Sequence, residues 1–344
     1  MKTFLENLEM LSMAVGTSGD EGAVRKLIYD EVIAYPGCIA KTDNAGNLVV
    51  SKKGAKEPKN KIMFTANMDE IGFMITHIDE KGFLKFSGIG SIDSRVIIGK
   101  RVLVGKNSLP GLLGSKAIHL VKKDEFDNPT KTSDLYIDIG AESREEAEKL
   151  VSPGERAVFD SDFCEFGDGC VLGRALDNRA GCAALMELLK EEAEYDFTVC
   201  FTVRGEINGN GAPAAAFGVA PDIAVAVETA AAGDTPGIPG EKALCKQGKG
   251  PVLSFRDSGT LYDLELYHFV TELAEKENIP TQIRTGIFGS GAAEAIHKAR
   301  GGIRPVSVSI PARYVHGPYA SLKLSDAKST VSLLKAMSKG LCEV

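Results

Sequence analysis

The chain has no tryptophan, and aromatic residues account for only 7% of its 344 residues. Enzymes that cleave sugars set two carboxyl groups around a ring that packs on aromatic side chains, so this scarcity argues against a glycosidase.

Basic residues are also outnumbered, with 40 Lys and Arg against 47 Asp and Glu and a formal net charge of -7. Because surfaces that bind nucleic acids or anionic membranes need a basic stripe, we expect neither partner.

The chain also lacks long apolar runs, since none approaches the roughly 20 residues of a membrane helix. The first segment, Met1 to Val15, carries Glu6 and Glu9 inside its apolar pattern, which predicts an ordinary helix rather than a secretion signal.

The seven cysteines are scattered, odd in number and without paired zinc-ligand spacing. We therefore expect reduced thiols in a cytoplasmic protein.

Short apolar strands alternate with amphipathic helices in two separate parts of the chain, a pattern typical of an α/β fold. The predicted strands are Asn47–Ser51, Ile62–Ala66, Phe197–Val203, Asp222–Val227 and Val306–Ile310, and the predicted helices include 179–191, 261–276 and 292–300. Ser18 and Glu21 have the spacing of a capping box before a further helix.

Between these parts, short β-rich segments alternate with Gly, Asp and Lys turns, and one of them is a predicted strand at Arg95–Val104. This change in the sequence pattern predicts an inserted β domain. We expect a discontinuous α/β domain of residues 1–69 and 163–344, interrupted by a β-rich domain of residues 70–162, to which the family resemblance described below assigns an oligomerisation role.

Five predicted strands run into polar stretches. They end near Asn67 and Asp69, Asp177, Glu206, Glu228 and His316. Carboxylates and an imidazole that meet at one edge of a parallel sheet would repel one another unless a cation lies among them. If the strands are neighbours, this edge is a metal site suited to zinc, cobalt or manganese. Taken alone, Asp177 could instead cap the helix that follows it.

The other histidines and a glycine-flanked serine have plainer interpretations. His77 and His119 lie in the β-rich segment, and His268 and His297 lie on predicted helices, so we interpret them as structural. Ser290 lies between two glycines, but this match is too short for the nucleophile turn of a serine hydrolase.

At these stretches the sequence resembles the glutamyl-aminopeptidase-like, tetrahedral-aminopeptidase family of co-catalytic metallo-aminopeptidases, some of which carry an endoglucanase label. The matching motifs are Ser18-Gly19-x-Glu21, Asp43-Asn44-Ala45-Gly46-Asn47, Met68-Asp69-Glu70-Ile71-Gly72, Ala175-Leu176-Asp177-Asn178-Arg179, Gly233-Asp234-Thr235-Pro236-Gly237 and Arg313-Tyr314-x-His316. The resemblance implies a zinc-peptidase-like mixed sheet between helices, with an inserted β-barrel-like domain. It also implies homo-oligomers from dimer to dodecamer and peptide substrates.

The resemblance also implies roles for site residues. Asp177 would bridge two metals, with Glu228 and a histidine on the first metal. Glu206 and His316 would bind the second metal. Asp69 would orient the first-metal histidine, and a glutamate just before Glu206 would be the general base.

This chain departs from that pattern at positions that would bind the first metal or act as the general base. Asn67 stands where the first-metal histidine belongs, and Gly205 replaces the base. Ser290-Gly291 replaces a usual Thr-Asp pair, and Arg204 replaces an uncharged residue. Loss of a general base typically costs roughly 10²- to 10⁴-fold in rate. We expect at most one tightly bound ion, held by Asp177, Glu206 and His316. Alternatively, the Arg204 guanidinium could balance the charges of Asp177 and Glu228 in place of the first ion.

Two functions remain open. The first is a metallo-aminopeptidase of reduced activity that uses one ion and a replacement base such as Asp69 or Glu206. The second is a catalytically inactive homologue that acts as a binding or assembly protein.

Overall fold

The computed structural model describes residues 1–121 and 129–344. Its α-helices are α1 Phe4–Met13, α2 Gly22–Val32, α3 Ser94–Ile97, α4 Arg144–Glu148, α5 Leu176–Lys190, α6 Gly211–Val219, α7 Leu264–Lys276, α8 Ala292–Ile296 and α9 Leu324–Gly340. Its strands are β1 Cys38–Thr42, β2 Leu48–Lys52, β3 Gly54–Lys56, β4 Ile62–Asn67, β5 Gly72–Ile78, β6 Leu84–Ile89, β7 Arg101–Val104, β8 Leu109–Gly114, β9 Tyr136–Asp138, β10 Arg156–Phe159, β11 Cys164–Phe166, β12 Cys170–Gly173, β13 Ala193–Tyr195, β14 Phe197–Thr202, β15 Ile223–Ala231, β16 Val252–Leu253, β17 Gln282–Ile283, β18 Arg304–Arg313 and β19 Ala320–Lys323. Within the described ranges, every helix is too short or too polar to span a bilayer.

The larger core is built on a mixed sheet of eleven strands, with the order β1-β2-β14-β4-β15-β18-β19-β12-β11, in which β16 also pairs with β18 and β17 pairs with β16. Strands β14, β4, β15 and β18 are mutually parallel. They are buried on both faces, which explains why their sequences are nearly continuous apolar runs. Strand β12 pairs antiparallel with β19, which pairs antiparallel with β18, so β12 runs in the same direction as β18. The carboxyl ends of five strands therefore lie along one edge.

Helix α5 covers the centre of this sheet. It is buried along most of its length and packs against β4 and β15, with α1 and α9 beside it. Its small and aliphatic residues permit this close packing on the sheet. The start of α5 is thereby held at the sheet edge where the strands end.

The smaller core is a closed barrel of order β10-β5-β6-β9-β8-β7. Phe73 makes edge-to-face contacts with Phe86 and Phe159, at centroid distances of 4.9 and 5.2 Å. The barrel confirms the predicted fold class, a mixed α/β architecture with an inserted β-barrel. Its strands lie inside the segment 70–162, of which residues 122–128 are outside the described ranges. The domain boundaries themselves stay a prediction.

Two local predictions are wrong. The segment Arg95–Val104 is not one strand, because Asp93 caps a helical turn by accepting from the backbone N–H of Arg95, and a strand forms only after Gly99, which has φ 73°. Ser18 and Glu21 do not form a capping box at α2.

The side chains of Ser18 and Glu21 have other partners instead. The Ser18 hydroxyl donates to Asp69, and the Glu21 carboxylate accepts from the backbone N–H groups of Gly19 and Arg204. Both residues therefore tie the start of α2 to the sheet edge.

Candidate metal centre

Asp177 reaches the sheet edge through an irregular start to α5. Ala175 has a left-handed backbone (φ 55°), and Asp177 has the extended angles φ -88° and ψ 104° inside the first turn. The Asp177 carboxylate accepts a hydrogen bond from the Thr229 hydroxyl at the end of β15. It thus faces the strand ends instead of capping the helix.

Asp177, Glu206 and His316 come together at this edge. The Nε2 atom of His316 lies 3.4 Å from Oδ2 of Asp177 and 3.5 Å from Oε2 of Glu206. One potential ligand atom from each residue lies within 4.8 Å of the other two. Two carboxylates and an imidazole are the ligands of a divalent transition metal, so the donor set fits one such ion.

The charges of this trio are poorly balanced by the protein alone. Burial, and then the charges of Asp177 and Asp69, raise the pKa of Glu206 well above its ordinary value. A hydrogen bond to Asp177 raises the pKa of His316. The acidic neighbours that contribute to both pKa shifts concentrate negative charge in the pocket, which a divalent cation would offset.

Asp69 lies behind the trio and is fully buried. Its two oxygens accept from the Ser18 hydroxyl at 2.5 Å, the backbone N–H groups of Gly205 and Glu206 at 2.7 and 2.9 Å, and the Asn67 amide at 3.1 Å. Because four donors occupy it, Asp69 fixes the turn that carries Glu206 and does not line the cavity.

The Asn67 side chain is engaged on both sides. Its oxygen accepts from the Asn178 amide at 3.0 Å, and its nitrogen donates to Asp69. The same Asn178 nitrogen also donates to the carbonyl of Val227 at 2.7 Å. A neutral amide network therefore occupies the side of the site where the family pattern has its first-metal histidine.

Glu228 does not join the trio. Its carboxylate accepts from the backbone N–H of Ala292 at 2.7 Å, at the start of α8. Burial, with the charge of Asp177 adding to it, raises the pKa of Glu228 to about 7. With Asn67 hydrogen-bonded elsewhere and Glu228 turned toward α8, these residues do not fit a first metal ion.

Arg204 does not replace that ion either. Its side chain is exposed and is not part of the cavity wall. Its backbone is left-handed (φ 56°), and its backbone N–H donates to Glu21. The structure therefore gives the substitution of a guanidinium for the first ion no support.

A cavity of about 670 Å³ opens over the trio, within the size range of small-ligand sites. Asn67, Gly205 and Glu228 line it together with the trio, and Arg284, Lys298 and Phe288 also line it.

Sequence reasoning missed several supporting residues. Glu70 makes a contact of 2.9 Å with Arg174 and one of 3.6 Å with Arg179, and all three side chains are almost completely buried. These arginines flank Asp177 in the sequence, which was an available signal. Asn178 and Thr229 adjoin predicted site residues, but their hydrogen bonds depend on how α5 meets β15.

The chain is similar to known proteins along most of its length. The profile of the family described as M42 glutamyl aminopeptidase matches residues 46–333. A protein of Acetivibrio thermocellus named "Putative aminopeptidase" is 39% identical over 331 residues, which are 95% of this chain and 96% of that one. The TET aminopeptidase of a marine-sediment Thaumarchaeota archaeon has a TM-score of 0.94 at 32% identity, over 98% of this chain and 96% of that one. The Pyrococcus horikoshii TET1 peptidase, which can assemble into a tetrahedron or a large octahedral shell, has a TM-score of 0.85 at 33% identity, over 98% and 99%.

Proposed function

Since the chain belongs to the M42 glutamyl aminopeptidase family, we propose that it binds the amino-terminal end of peptides beside a single divalent cation and hydrolyses them slowly. The observation that carries this proposal is the division of the site into two halves. Asp177, Glu206 and His316 converge as a ligand set. Asn67 and Glu228, which the family pattern would assign to the other ion, are hydrogen-bonded elsewhere.

A divalent cation held by the trio would lower the pKa of a bound water from about 15.7 toward about 7 and polarise a peptide carbonyl. The contribution of the chain itself is to orient these groups. Asp69 holds the turn of Glu206 through two backbone N–H groups, and Thr229 holds the Asp177 carboxylate. Zinc, cobalt and manganese all suit this ligand set.

The site lacks the general base of the family pattern. Gly205 provides no proton acceptor, and Asp69 is buried and has four donors already. Of the two replacement bases predicted from the sequence, Glu206 lines the cavity, but as a ligand it would be a weak base. Loss of general-base catalysis supports a rate roughly 10²- to 10⁴-fold below that of a complete site.

The experiment combines cation content with turnover. The purified chain is saturated with zinc or cobalt and dialysed, and the bound metal per chain is then measured by mass spectrometry. Hydrolysis is followed with a panel of aminoacyl chromogenic substrates. We expect one ion per chain and turnover below about 0.1 s⁻¹, against a typical enzyme median near 10 s⁻¹. Turnover within about tenfold of that median would contradict reduced activity, and a chain without bound metal would contradict the cation site.

The second candidate is a catalytically inactive binding or assembly protein, and the loss of a base at Gly205 favours it. Calorimetry with short peptides separates the two functions, because this candidate predicts saturable peptide binding without any product.

We further propose that the chain forms homo-oligomers, as the TET1 relative does, and that it acts in the cytoplasm. All seven cysteines are unpaired, which accords with a reducing compartment. Analytical ultracentrifugation tests the assembly.

A further inference from the structure

Gly205 and Asn67 approach each other more closely than two side chains could. Asn67 ends β4, beside Thr202 of β14, and Gly205 follows in the turn after β14. A Cβ atom at position 205 would lie 2.5 Å from each of the Cβ, Cγ and Nδ2 atoms of Asn67. This is about 1 Å inside the separation of roughly 3.5–4.0 Å that carbon atoms prefer. Any side chain at position 205 would push the turn away from β4.

The turn carries a ligand of the proposed cation site. The backbone N–H groups of Gly205 and Glu206 both donate to Asp69, which is fixed in the buried core. The Glu206 carboxylate then reaches 3.5 Å from His316. Since the hydrogen bonds of the turn are short and aimed at one carboxylate, displacement of the turn displaces Glu206.

We propose that Gly205 is a positioning residue for the single-cation site, because the absence of its side chain lets the 203–206 turn rest on Asn67 and holds Glu206 beside Asp177 and His316. Glycine here is therefore more than a lost catalytic group. This inference rests on the proposed function for the ligand, which is a divalent cation.

A second glycine has the same steric relationship with a residue outside the trio. A Cβ atom at Gly291 would lie 2.6 Å from Oε1 and 2.8 Å from Cδ of Glu228. Glu228 is turned toward α8 and is not part of the ligand group. Gly291 is therefore a steric control, because a methyl group there overlaps with the movable end of the Glu228 side chain and not with the turn that carries Glu206.

Backbone strain does not contribute to the difference expected between the alanine variants at Gly205 and Gly291. Gly205 is absent from the positions with positive φ, and Gly291 has φ -127°, so alanine can adopt either backbone. Gly218 in α6 supplies a neutral control, since a Cβ atom there would meet nothing within 4 Å.

The test measures cobalt affinity by calorimetry and thermal unfolding without metal in Gly205→Ala, Gly291→Ala and Gly218→Ala. We expect Gly205→Ala to weaken cobalt binding at least tenfold, and the other two variants to stay within threefold of the parent chain. Both Gly205→Ala and Gly291→Ala should lower the unfolding temperature, whereas Gly218→Ala should not. If Gly205 has a purely structural role, Gly205→Ala lowers the unfolding temperature but leaves the cobalt affinity unchanged, and that result would overturn the proposal.

A double variant provides the rescue. In Asn67→Gly with Gly205→Ala, the added methyl group no longer meets a side chain at position 67. We expect its cobalt affinity to lie within threefold of that of Asn67→Gly alone. If Gly205→Ala does not fold, the same pair still tests the claim, because independent effects would leave the double variant as damaged as the single one.

Failure of the proposed function would be recognised separately. If the parent chain binds no cobalt, the cation site is refuted, and the positioning claim is then decided by crystal structures of the metal-free variants. The distance from Glu206 Oε2 to His316 Nε2, 3.5 Å in the parent chain, should increase by more than about 1 Å in Gly205→Ala and not in Gly291→Ala. An unchanged distance in Gly205→Ala would refute the positioning claim.

Discussion

The Nε2 atom of His316 lies 3.4 Å from Oδ2 of Asp177, although the two residues follow different strands, β18 and β12. If both residues bind the same cation, His316→Ala removes one of three ligands. Loss of an outer-shell partner typically costs 10- to 100-fold in metal affinity, so we expect loss of the ligand itself to cost at least about 100-fold. Cobalt titration measures this effect, with His268→Ala as the control because His268 is exposed on α7. Equal affinity in the two variants would remove His316 from the site.

Glu70 is a second point where the account can be tested. It is buried between Arg174 and Arg179 and also accepts from the backbone N–H of Gly16. Glu70→Ala would leave two guanidinium groups buried without their carboxylate, so we expect a loss of about 3–5 kcal/mol in the free energy of unfolding. Chemical denaturation measures this loss. Glu9→Ala, at an exposed position of α1, should stay within about 0.5 kcal/mol of the parent chain. A loss below about 1 kcal/mol for Glu70→Ala would contradict this prediction.

The ion pair between Asp234 and Arg313 makes stability depend on pH. Two hydrogen bonds of 2.8 Å join them, and the Arg313 guanidinium lowers the pKa of Asp234. A carboxylate with a lowered pKa stabilises the fold above its unfolded pKa, near pH 4, and this contribution is lost as pH falls through the lowered value. We expect Asp234→Asn to cost about 1 kcal/mol at pH 7, because solvent screens the partly exposed pair, and to cost progressively less below pH 4.

Denaturation curves at several pH values between 3 and 7 test that dependence. Asp30→Asn, which disrupts the exposed pair with Lys26, is the control and should cost little at any pH. A constant cost of Asp234→Asn across the range would show that the charge of Asp234 is not what matters.

Much of the architecture could be predicted because it depends on local patterns. The apolar runs of β4, β15 and β18 predict buried strands. Glu206 follows β14, Asp177 follows β12 and His316 follows β18, and the shared direction of these three strands brings the residues to one edge. Segments with competing local signals were harder to predict. At Arg95–Val104 the apolar residues favoured a strand, but the Asp93 cap and Gly99 divide the segment.

The inner details of the site could not be predicted because they depend on contacts across the sheet. Glu228 is drawn toward α8 by the N–H of Ala292, and the missing side chain at Gly291 leaves room for this. Arg204 has a left-handed backbone at the start of the 203–206 turn, and its side chain is exposed. In both cases the residue type is compatible with several roles, and only the packing of neighbouring loops selects one.

The most direct test of the account is the number of metal ions that each chain binds. Crystals soaked in zinc would be measured above and below the zinc absorption edge, and anomalous peaks would be located around Asp177. We predict one peak per chain, bounded by Asp177, Glu206 and His316. Two peaks of similar occupancy, with the second between Asn67 and Glu228, would contradict it.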